Sequence, residues 1–301
     1  MARPLFRYTP RDAWPALSGV AILALHVVTF VGQSRWPFAL RAAAFLGLAY
    51  SYWWNLQCIS HNFIHNPFFN SRWLNQVYGI VLSLDIGVPQ VIYHHYHMNH
   101  HAGDNDKRGP DGTTKDWSSI YRYSCDDNPE PFWRYCLIGY FRAELGPPIK
   151  KAAQQGHIPQ LIAETIVLVS AWGLMLWFNW RYALAFYLPS YYMGWVLSYA
   201  QGYWEHYDAK PGDHYANSVS SYHRLYNLLW FNNGYHQEHH WDPKHHWTRM
   251  HQLHERLRPR LIEHGTRLLR GPHCTAFLED WLNGRRWRQR SSDQPPRAKA
   301  A

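Results

Sequence analysis

The chain has 301 residues, of which 47% are apolar and 17% are charged, so it contains enough apolar material for a sizeable core. Its four cysteines form no C-x-x-C pair, which excludes a disulfide scaffold and a thiolate zinc finger. The net charge of +9 suits several anionic partners equally well, whereas the 21 histidines, as many as Asp and Glu together, point to metal binding.

Four long uncharged runs predict membrane-spanning helices. Each reaches the roughly 17 to 25 residues that a spanning helix needs. A buried helical core of a soluble protein is the alternative, but four separate runs of this length favour the membrane. We predict spans at about 15–32, 42–60, 158–180 and 182–204.

A fifth apolar run, 73–93, is interrupted by Asp85, Gly87 and Pro89, which make a plain spanning helix costly. The stretch 94–157 is polar, with eight Lys and Arg balancing eight acids, and is expected to lie in water. The basic tail, 285–301, is poor in apolar residues and is predicted to be flexible.

Basic residues predict the orientation. The arginines at positions 3, 7 and 11 precede the first span, and no convincing signal-peptide cleavage site follows them, which favours a cytoplasmic N-terminus. Residues 205–301 hold 15 Lys and Arg against 10 acids, so the C-terminus is expected on the same side. Four crossings of the membrane place both termini on the cytoplasmic side. We therefore predict an integral, multi-pass protein of a bacterial inner membrane.

Three histidine clusters stand out, and two of them share the spacing H-x-x-H-H. Residues at i, i+3 and i+4 of a helix share a face, so one turn can direct three imidazoles to one point. An i,i+4 pair alone is commonly an ordinary surface or core pair, but the repeated motif favours ligands of more than one metal ion. The clusters are His61 and His65; His97, His100 and His101; and His236, His239 and His240.

With these motifs the chain resembles the membrane fatty acid desaturase and hydroxylase superfamily, over about 15–260. The resemblance implies an all-α integral membrane fold of about four transmembrane helices, with interfacial helices and a cytoplasmic His-rich cap, in a single domain over 1–284. It also implies a further ligand at the end of the fourth span, where His206 lies. Two non-haem irons would then be held by His61, His65, His97, His100, His101, His206, His236, His239 and His240.

The first box departs from the superfamily pattern, because Asn62 and Asn66 stand where many relatives have an acidic residue and a glycine. The substrate of any one subfamily is therefore not transferred. His94 and His95, just before the second box, are alternative ligands. Acidic residues near the boxes are expected by default to be solvated, although they could orient ligands: Asp104, Asp106, Asp111, Glu205 and Glu238.

The other histidines are expected to be structural or exposed. The segment that carries His245, His246, His251 and His254 is predicted to form an interfacial helix with an apolar side. That side consists of Met250, Leu253 and Leu257. Predicted surface histidines are His214, His223, His264 and His273.

The resemblance implies an O2-dependent oxidoreductase that introduces a double bond into an acyl or other lipid-like chain, with O2 as co-substrate and no catalytic side chain beyond the metal ligands. The alternative on the same scaffold is a hydroxylase, ketolase or oxidative decarboxylase acting on a fatty acid, alkane, carotenoid or small secondary metabolite. No haem or Fe–S motif is recognisable, so we expect a separate electron donor of ferredoxin, rubredoxin or cytochrome type, and no nucleic acid partner.

Two other classes compete with this interpretation. A membrane zinc hydrolase would bind one metal per active site, and the sequence lacks H-E-x-x-H. A His-rich metal carrier would distribute its ligands along a transport path. Neither the zinc hydrolase nor the metal carrier accounts for three histidine boxes that share one site.

Sharing one site also constrains the run 73–93. If these residues formed a plain transmembrane helix, roughly 30 Å of hydrocarbon would separate the first box from the second. We therefore predict that 73–93 is interfacial or re-entrant and that all three boxes and both termini face the cytoplasm.

Overall fold

Helices form nearly all of the regular structure in residues 4–282, the part of the chain that this computed structural model describes. Two helices continue into π-helical turns, at Asn55–Ser60 and Ala183–Tyr187. The tail predicted to be flexible, 285–301, lies outside the described residues. The helices are α1 (Ala13–Gly32), α2 (Phe38–Trp54), α3 (His61–His65), α4 (Arg72–Ile86), α5 (Gln90–Gly103), α6 (Phe132–Ile138), α7 (Gly146–Gln154), α8 (Ile158–Tyr182), α9 (Leu188–His206), α10 (Arg224–Leu229), α11 (His236–Trp241), α12 (Met250–His264) and α13 (Ala276–Leu282). The strands β1 (Val219–Ser221) and β2 (Arg267–Leu269) pair in parallel.

Two helical segments, Pro10–Arg35 and Ile158–His206, are long and apolar enough to cross a membrane, and the bent pair α4–α5 makes a third if it is counted as one span. Helix α1 turns large apolar side chains outward, which suits lipid better than water. They are Trp14, Leu17, Val20, Val27, Val28 and Val31. These features fit a membrane protein, while the crossing of the membrane four times stays a prediction.

The segment Ile158–His206 folds back on itself. The backbone of Asn179 is not helical (φ −155°, ψ 72°), and its side-chain oxygen accepts a hydrogen bond from the Tyr182 amide at 3.1 Å, as an N-cap does. The rings of Trp172 and Tyr191 lie 6.1 Å apart, whereas a continuous helix would separate these residues by roughly 28 Å. Helices α8 and α9 therefore form a hairpin at the positions predicted for the third and fourth spans.

Helix α2 runs through the first π-helical turn into α3, so the first histidine box directly continues the predicted second span. It packs against α9 at Gly194, where an added Cβ would lie 2.4 Å from the Cβ of Tyr52 and 2.8 Å from the carbonyl oxygen of Ala49. Glycine lets the two backbones approach this closely. This close contact holds α2 and α9 together. His61 follows α2 along the chain, and His206 is the last residue of α9.

The apolar run that was predicted to be interrupted forms two helices, α4 and α5, which meet at 84°. Helix α4 ends at Gly87, whose φ of +69° is the left-handed conformation typical of a helix end, and Pro89 immediately precedes α5. The break lies at the residues from which it was predicted. The side of the membrane that each half faces stays a prediction.

The apolar side of the segment after the third box packs against the protein, so the prediction that this side faces the membrane interface was wrong. Met250, Leu253 and Leu257 of α12 form a buried cluster against Tyr215 and Trp241. A helix with one apolar stripe can bury that stripe against protein as well as against lipid. The C-terminal region therefore forms a packed cap over the third box.

One of the predicted surface histidines is in the core. The ring of His273 is fully buried and forms hydrogen bonds with the Tyr226 hydroxyl at 3.0 Å and the Val219 carbonyl at 2.8 Å. A lone histidine in a sequence gives no signal of such partners. His214 and His223 are exposed, as predicted.

Candidate metal centre

The three histidine boxes and the end of α9 meet in one place and form two groups of four histidines. Within each group, one nitrogen of every ring lies within 4.8 Å of the chosen nitrogens of the others. The first group contains His61, His65, His97 and His239. The second group contains His100, His206, His236 and His240. Each group draws its histidines from three helices, so it exists only in the folded chain.

The first group is built from α3, α5 and α11. Its i,i+4 spacing puts His61 and His65 on one face of α3, with ring centroids 5.2 Å apart. The Nε2 atoms of His61 and His239 lie 2.7 Å apart, and the buried Nε2 of His65 has no hydrogen-bond partner within residues 4–282. Burial, followed by the charge of His100, lowers the pKa of His61 to about 3, so this ring is neutral and can offer a lone pair.

In the second group, the Nδ1 atoms of His100, His206 and His240 are bonded, which leaves their Nε2 atoms to face inward. The Nδ1 of His100 donates to Asp116 at 2.7 Å, and that of His206 donates to the Asn217 carbonyl at 3.3 Å. A neutral imidazole with its proton on Nδ1 has a bare lone pair on Nε2. The Nε2 atoms of His100 and His206 face each other at 3.0 Å. A metal ion between them would be bound by both nitrogens once each ring is neutral.

Two aspartates from the polar segment orient this group. Asp104 takes the left-handed position that ends α5 and accepts a hydrogen bond from the Nδ1 of His240 at 3.0 Å. Asp116 is fully buried and also accepts from the Ser118 amide at 2.7 Å. Burial alone would raise the pKa of Asp116, but His100 and the Ser118 hydrogen bonds hold it below its ordinary value, so it remains a carboxylate. Sequence analysis missed Asp116, because it lies outside every box.

Two buried glutamates lie beside the third box. Glu205 accepts a hydrogen bond from Gln201 at 2.8 Å, and its carboxylate lies 3.9 Å from the Nε2 of His236. Glu238 accepts from the Nδ1 of His254 at 2.6 Å. The expectation that both are solvated charges was wrong, because polar partners from separate segments enclose them.

His101 lies between the two groups but belongs to neither set of four. Its Nε2 is 2.9 Å from that of His97, and its ring centroid lies 4.5 Å from that of His240 and 4.8 Å from that of His65. Its buried Nδ1 has no partner among the described residues. The nine predicted histidines are thus assembled in one place, while the role of His101 as a ligand stays a prediction.

The two alternative ligands lie outside both groups of four. His94 and His95 form a third group with His157, a residue at the start of α8 that the sequence analysis did not single out. The choice of the original nine histidines over a set that includes His94 or His95 stays a prediction.

The chemistry of the two groups suits metal ions. Three rings have an acceptor on the outer nitrogen, and the Nε2 atoms of His65 and His240 have no hydrogen-bond partner among residues 4–282. A hydrogen bond on the outer nitrogen is the usual way in which a histidine ligand is oriented. Imidazole suits Fe, Zn, Cu and Ni, so the donors alone do not identify the metal.

An apolar cavity of about 600 Å³ adjoins the metal centre. Five histidines from both groups line one part of it: His61, His97, His100, His206 and His236. Most of the other lining surface is apolar and includes Val88, Ile92, Leu161, Leu168, Val169 and Trp172, although Gln57, Ser118 and Glu205 also reach the cavity. The volume is in the range of small-molecule sites, and the lining suits a hydrocarbon chain that ends or passes beside the histidines.

Comparison with known proteins shows similarity to one family. A family model described as fatty acid desaturase matches residues 34–271. A sphingolipid delta(4)-desaturase DES1-like protein of Arabidopsis thaliana is 29% identical over 240 residues, which cover 77% of this chain and 68% of that protein. The protein of the same description from Oryza sativa subsp. japonica is 27% identical over 248 residues, with 81% and 71% covered. The sphingolipid delta(4)-desaturase of Schizosaccharomyces pombe is 26% identical over 271 residues, with 82% and 70% covered. No solved structure gives a significant match.

Proposed function

Because the chain belongs to the fatty acid desaturase family, we propose that it is an O2-dependent, non-haem di-iron oxidoreductase that introduces a double bond into the hydrocarbon chain of a lipid. Membership confirms the resemblance inferred from the histidine boxes. The observation that carries the proposal is the apolar cavity, because its lining includes histidines of both groups. A methylene chain in this cavity would lie beside the metal centre.

In this proposal, the first group holds one iron and the second group holds the other, with His101 as the ninth ligand. The inward nitrogens that lack partners among the described residues support this assignment. When bound, the irons supply the activation of O2 and the removal of hydrogen from an unactivated C–H bond.

The protein itself fixes the ligands and the substrate. Asp116 and Asp104 keep the protons of His100 and His240 on Nδ1, so that each Nε2 stays free to bind. Leu161 and other apolar residues of the cavity wall exclude water and restrict where the lipid chain lies. No other side chain needs to act as a nucleophile or general base.

Electrons come from a separate donor in this account, of ferredoxin, rubredoxin or cytochrome type. Acidic donors and a basic protein attract each other over long distances, and this chain carries a net charge of +9. We propose that the single domain over 1–284 spans the membrane four times with its boxes and termini in the cytoplasm, which would give such a donor access to the metal centre.

The relatives described above are sphingolipid delta(4)-desaturases, so we propose a long-chain lipid as the substrate class, with sphingoid-type chains to be tested first. No observation favours hydroxylation, keto-group formation or decarboxylation over desaturation.

Expression in a lipid-producing host, followed by untargeted lipid analysis, tests the proposed function. We expect lipids that have lost two hydrogens in cells with the wild-type chain and not in cells with the His236→Ala variant. A product that has gained an oxygen atom would replace desaturation with hydroxylation. Identical lipid profiles for wild type and variant, in a host that supplies iron, O2 and reductant, would contradict an enzymatic role on these lipids.

A further inference from the structure

A third histidine group lies outside the metal centre. It consists of His94 and His95 on α5 and His157, the residue before α8. One nitrogen of each ring lies within 4.8 Å of those of the other two. The Nε2 of His95 is 3.1 Å from the Nδ1 of His157, and the ring centroids of these two residues are 5.2 Å apart.

These distances match those of the metal centre. There, facing nitrogens of neighbouring histidines lie between 2.7 Å and 3.2 Å apart. Two imidazole nitrogens on one tetrahedral zinc ion, each about 2.0–2.1 Å from the metal, are about 3.3 Å apart. The pair His95 and His157 is therefore already close to the separation that two ligands of one ion adopt.

The surroundings also suit a bound ion. His95 is buried, whereas His94 and His157 are partly exposed, so an ion has a path from the solvent and one open position for water. Ile92 of α5 and Leu161 of α8 belong to one small apolar cluster, which packs the two chain segments together. The three rings come from two parts of the chain, and an ion between them would tie α5, which carries the second box, to the start of α8.

We propose that His94, His95 and His157 form a third metal site, which takes a single divalent ion of the zinc type. Three neutral imidazoles and one open position are a donor set that zinc accepts readily. The site does not depend on the proposed desaturase function, because it uses none of the nine histidines assigned to the irons.

Metal analysis of the full-length protein tests this site. Iron-loaded protein in detergent is equilibrated with Zn²⁺ and freed of unbound metal, and its zinc and iron contents are measured for wild type, His157→Ala and His95→Ala. The matched control is His251→Ala, which removes an exposed histidine of α12. We expect wild type and control to hold one more zinc ion per chain than either variant, with equal iron in all four proteins.

Several results would overturn the third site. Equal zinc in wild type and His157→Ala would mean that His95 and His157 form an ordinary hydrogen-bonded pair. Loss of iron together with zinc in His157→Ala would mean that the group belongs to the metal centre.

Co²⁺ gives a second readout, since a visible absorption band typical of four-coordinate cobalt is expected in wild type and absent in His157→Ala. A wild-type protein without iron would bear on the proposed function and leave the zinc comparison intact.

Discussion

The Nε2 atoms of His100 and His206 face each other at 3.0 Å. The outer nitrogens of both rings are bonded, since Asp116 accepts from the Nδ1 of His100 and the Asn217 carbonyl accepts from that of His206. Helix α5 supplies one of these rings and α9 the other, so the fold brings the two Nε2 atoms together. A metal ion between them would be bound by both nitrogens once each ring is neutral, which supports a metal centre independently of the spacing of the boxes.

The carboxylate of Asp116 is expected to be essential for the affinity of the second group for metal. In Asp116→Asn, the side-chain amide can turn an N–H toward His100 and then no longer holds the proton of that ring on Nδ1. Loss of such an orienting partner commonly costs about 10–100-fold in metal affinity or activity. Iron content and turnover of the purified variant measure the effect.

Asp127→Asn is the control for this substitution, since Asp127 is an exposed residue of the same polar segment. It should retain the iron content and turnover of wild type. Unchanged iron and turnover in Asp116→Asn would show that the tautomer of His100 is fixed in some other way.

His101 is expected to be a ninth ligand, although it belongs to neither group of four. We predict that His101→Ala lowers iron below two per chain and abolishes turnover, as His61→Ala does, while insertion into the membrane remains intact. His264→Ala should change little, because His264 pairs with Asp213 away from the boxes. If His101→Ala keeps both its iron and its turnover, eight histidines suffice and His101 only fills space between the groups.

The depth of the apolar cavity is expected to set the preferred chain length. Trp172 lines the cavity and lies about 21 Å along α8 from its first residue, so its ring forms a part of the cavity wall near the middle of this 25-residue helix. Trp172→Ala removes this wall, so we predict a shift of preference by several carbons toward lipids with longer tails, with metal content unchanged. Competition between lipids of different length, analysed by mass spectrometry, measures the shift.

Trp177→Ala provides the matched control on the same helix. Trp177 is 84% exposed and does not line the cavity. It should leave the chain-length preference as in wild type. Equal shifts for both variants would point to a general effect on α8, and no shift for Trp172→Ala would place the lipid tail outside this cavity.

Spacing in the sequence predicted those parts of the site that lie on single helices. His61 and His65, or His97 and His100, share a helix face whatever the rest of the chain does, so their convergence could be predicted. Asp116 could not be found in this way, because its partner His100 lies on a helix that ends before it and the contact exists only once the loop has folded.

The fold also contains features that local sequence predicts and features that depend on contacts formed only on folding. Gly87 and Pro89 act on their own backbone, so the break between α4 and α5 could be predicted from them. The sequence shows that α12 has an apolar stripe, but it does not show whether lipid or protein covers that stripe. In the structure, Leu253 packs against protein. His157 could not be linked to His95 from spacing, because α6 and α7 lie between them in the chain.

The bend between α4 and α5 is expected to return the chain to the side from which it came. Single cysteines at Arg72, Lys107 and His214, all exposed positions, should then be labelled from the cytoplasmic side alone. The background needs Cys125→Ser and Cys274→Ser, since Cys125 is exposed and Cys274 is partly exposed, whereas Cys58 and Cys136 are buried. Labelling at position 107 only from the outer side, with positions 72 and 214 inside, would contradict both the re-entrant topology and the shared metal centre.

The most direct test of the whole account is the metal content of the wild-type chain, purified without oxygen after growth in iron-rich medium. Two groups of four histidines, with His101 between them, predict about two irons per chain, and His239→Ala and His240→Ala should each lower this number, because the two residues belong to different groups. Stoichiometric zinc or copper in the metal centre, with no iron and no iron-dependent activity, would contradict the di-iron account.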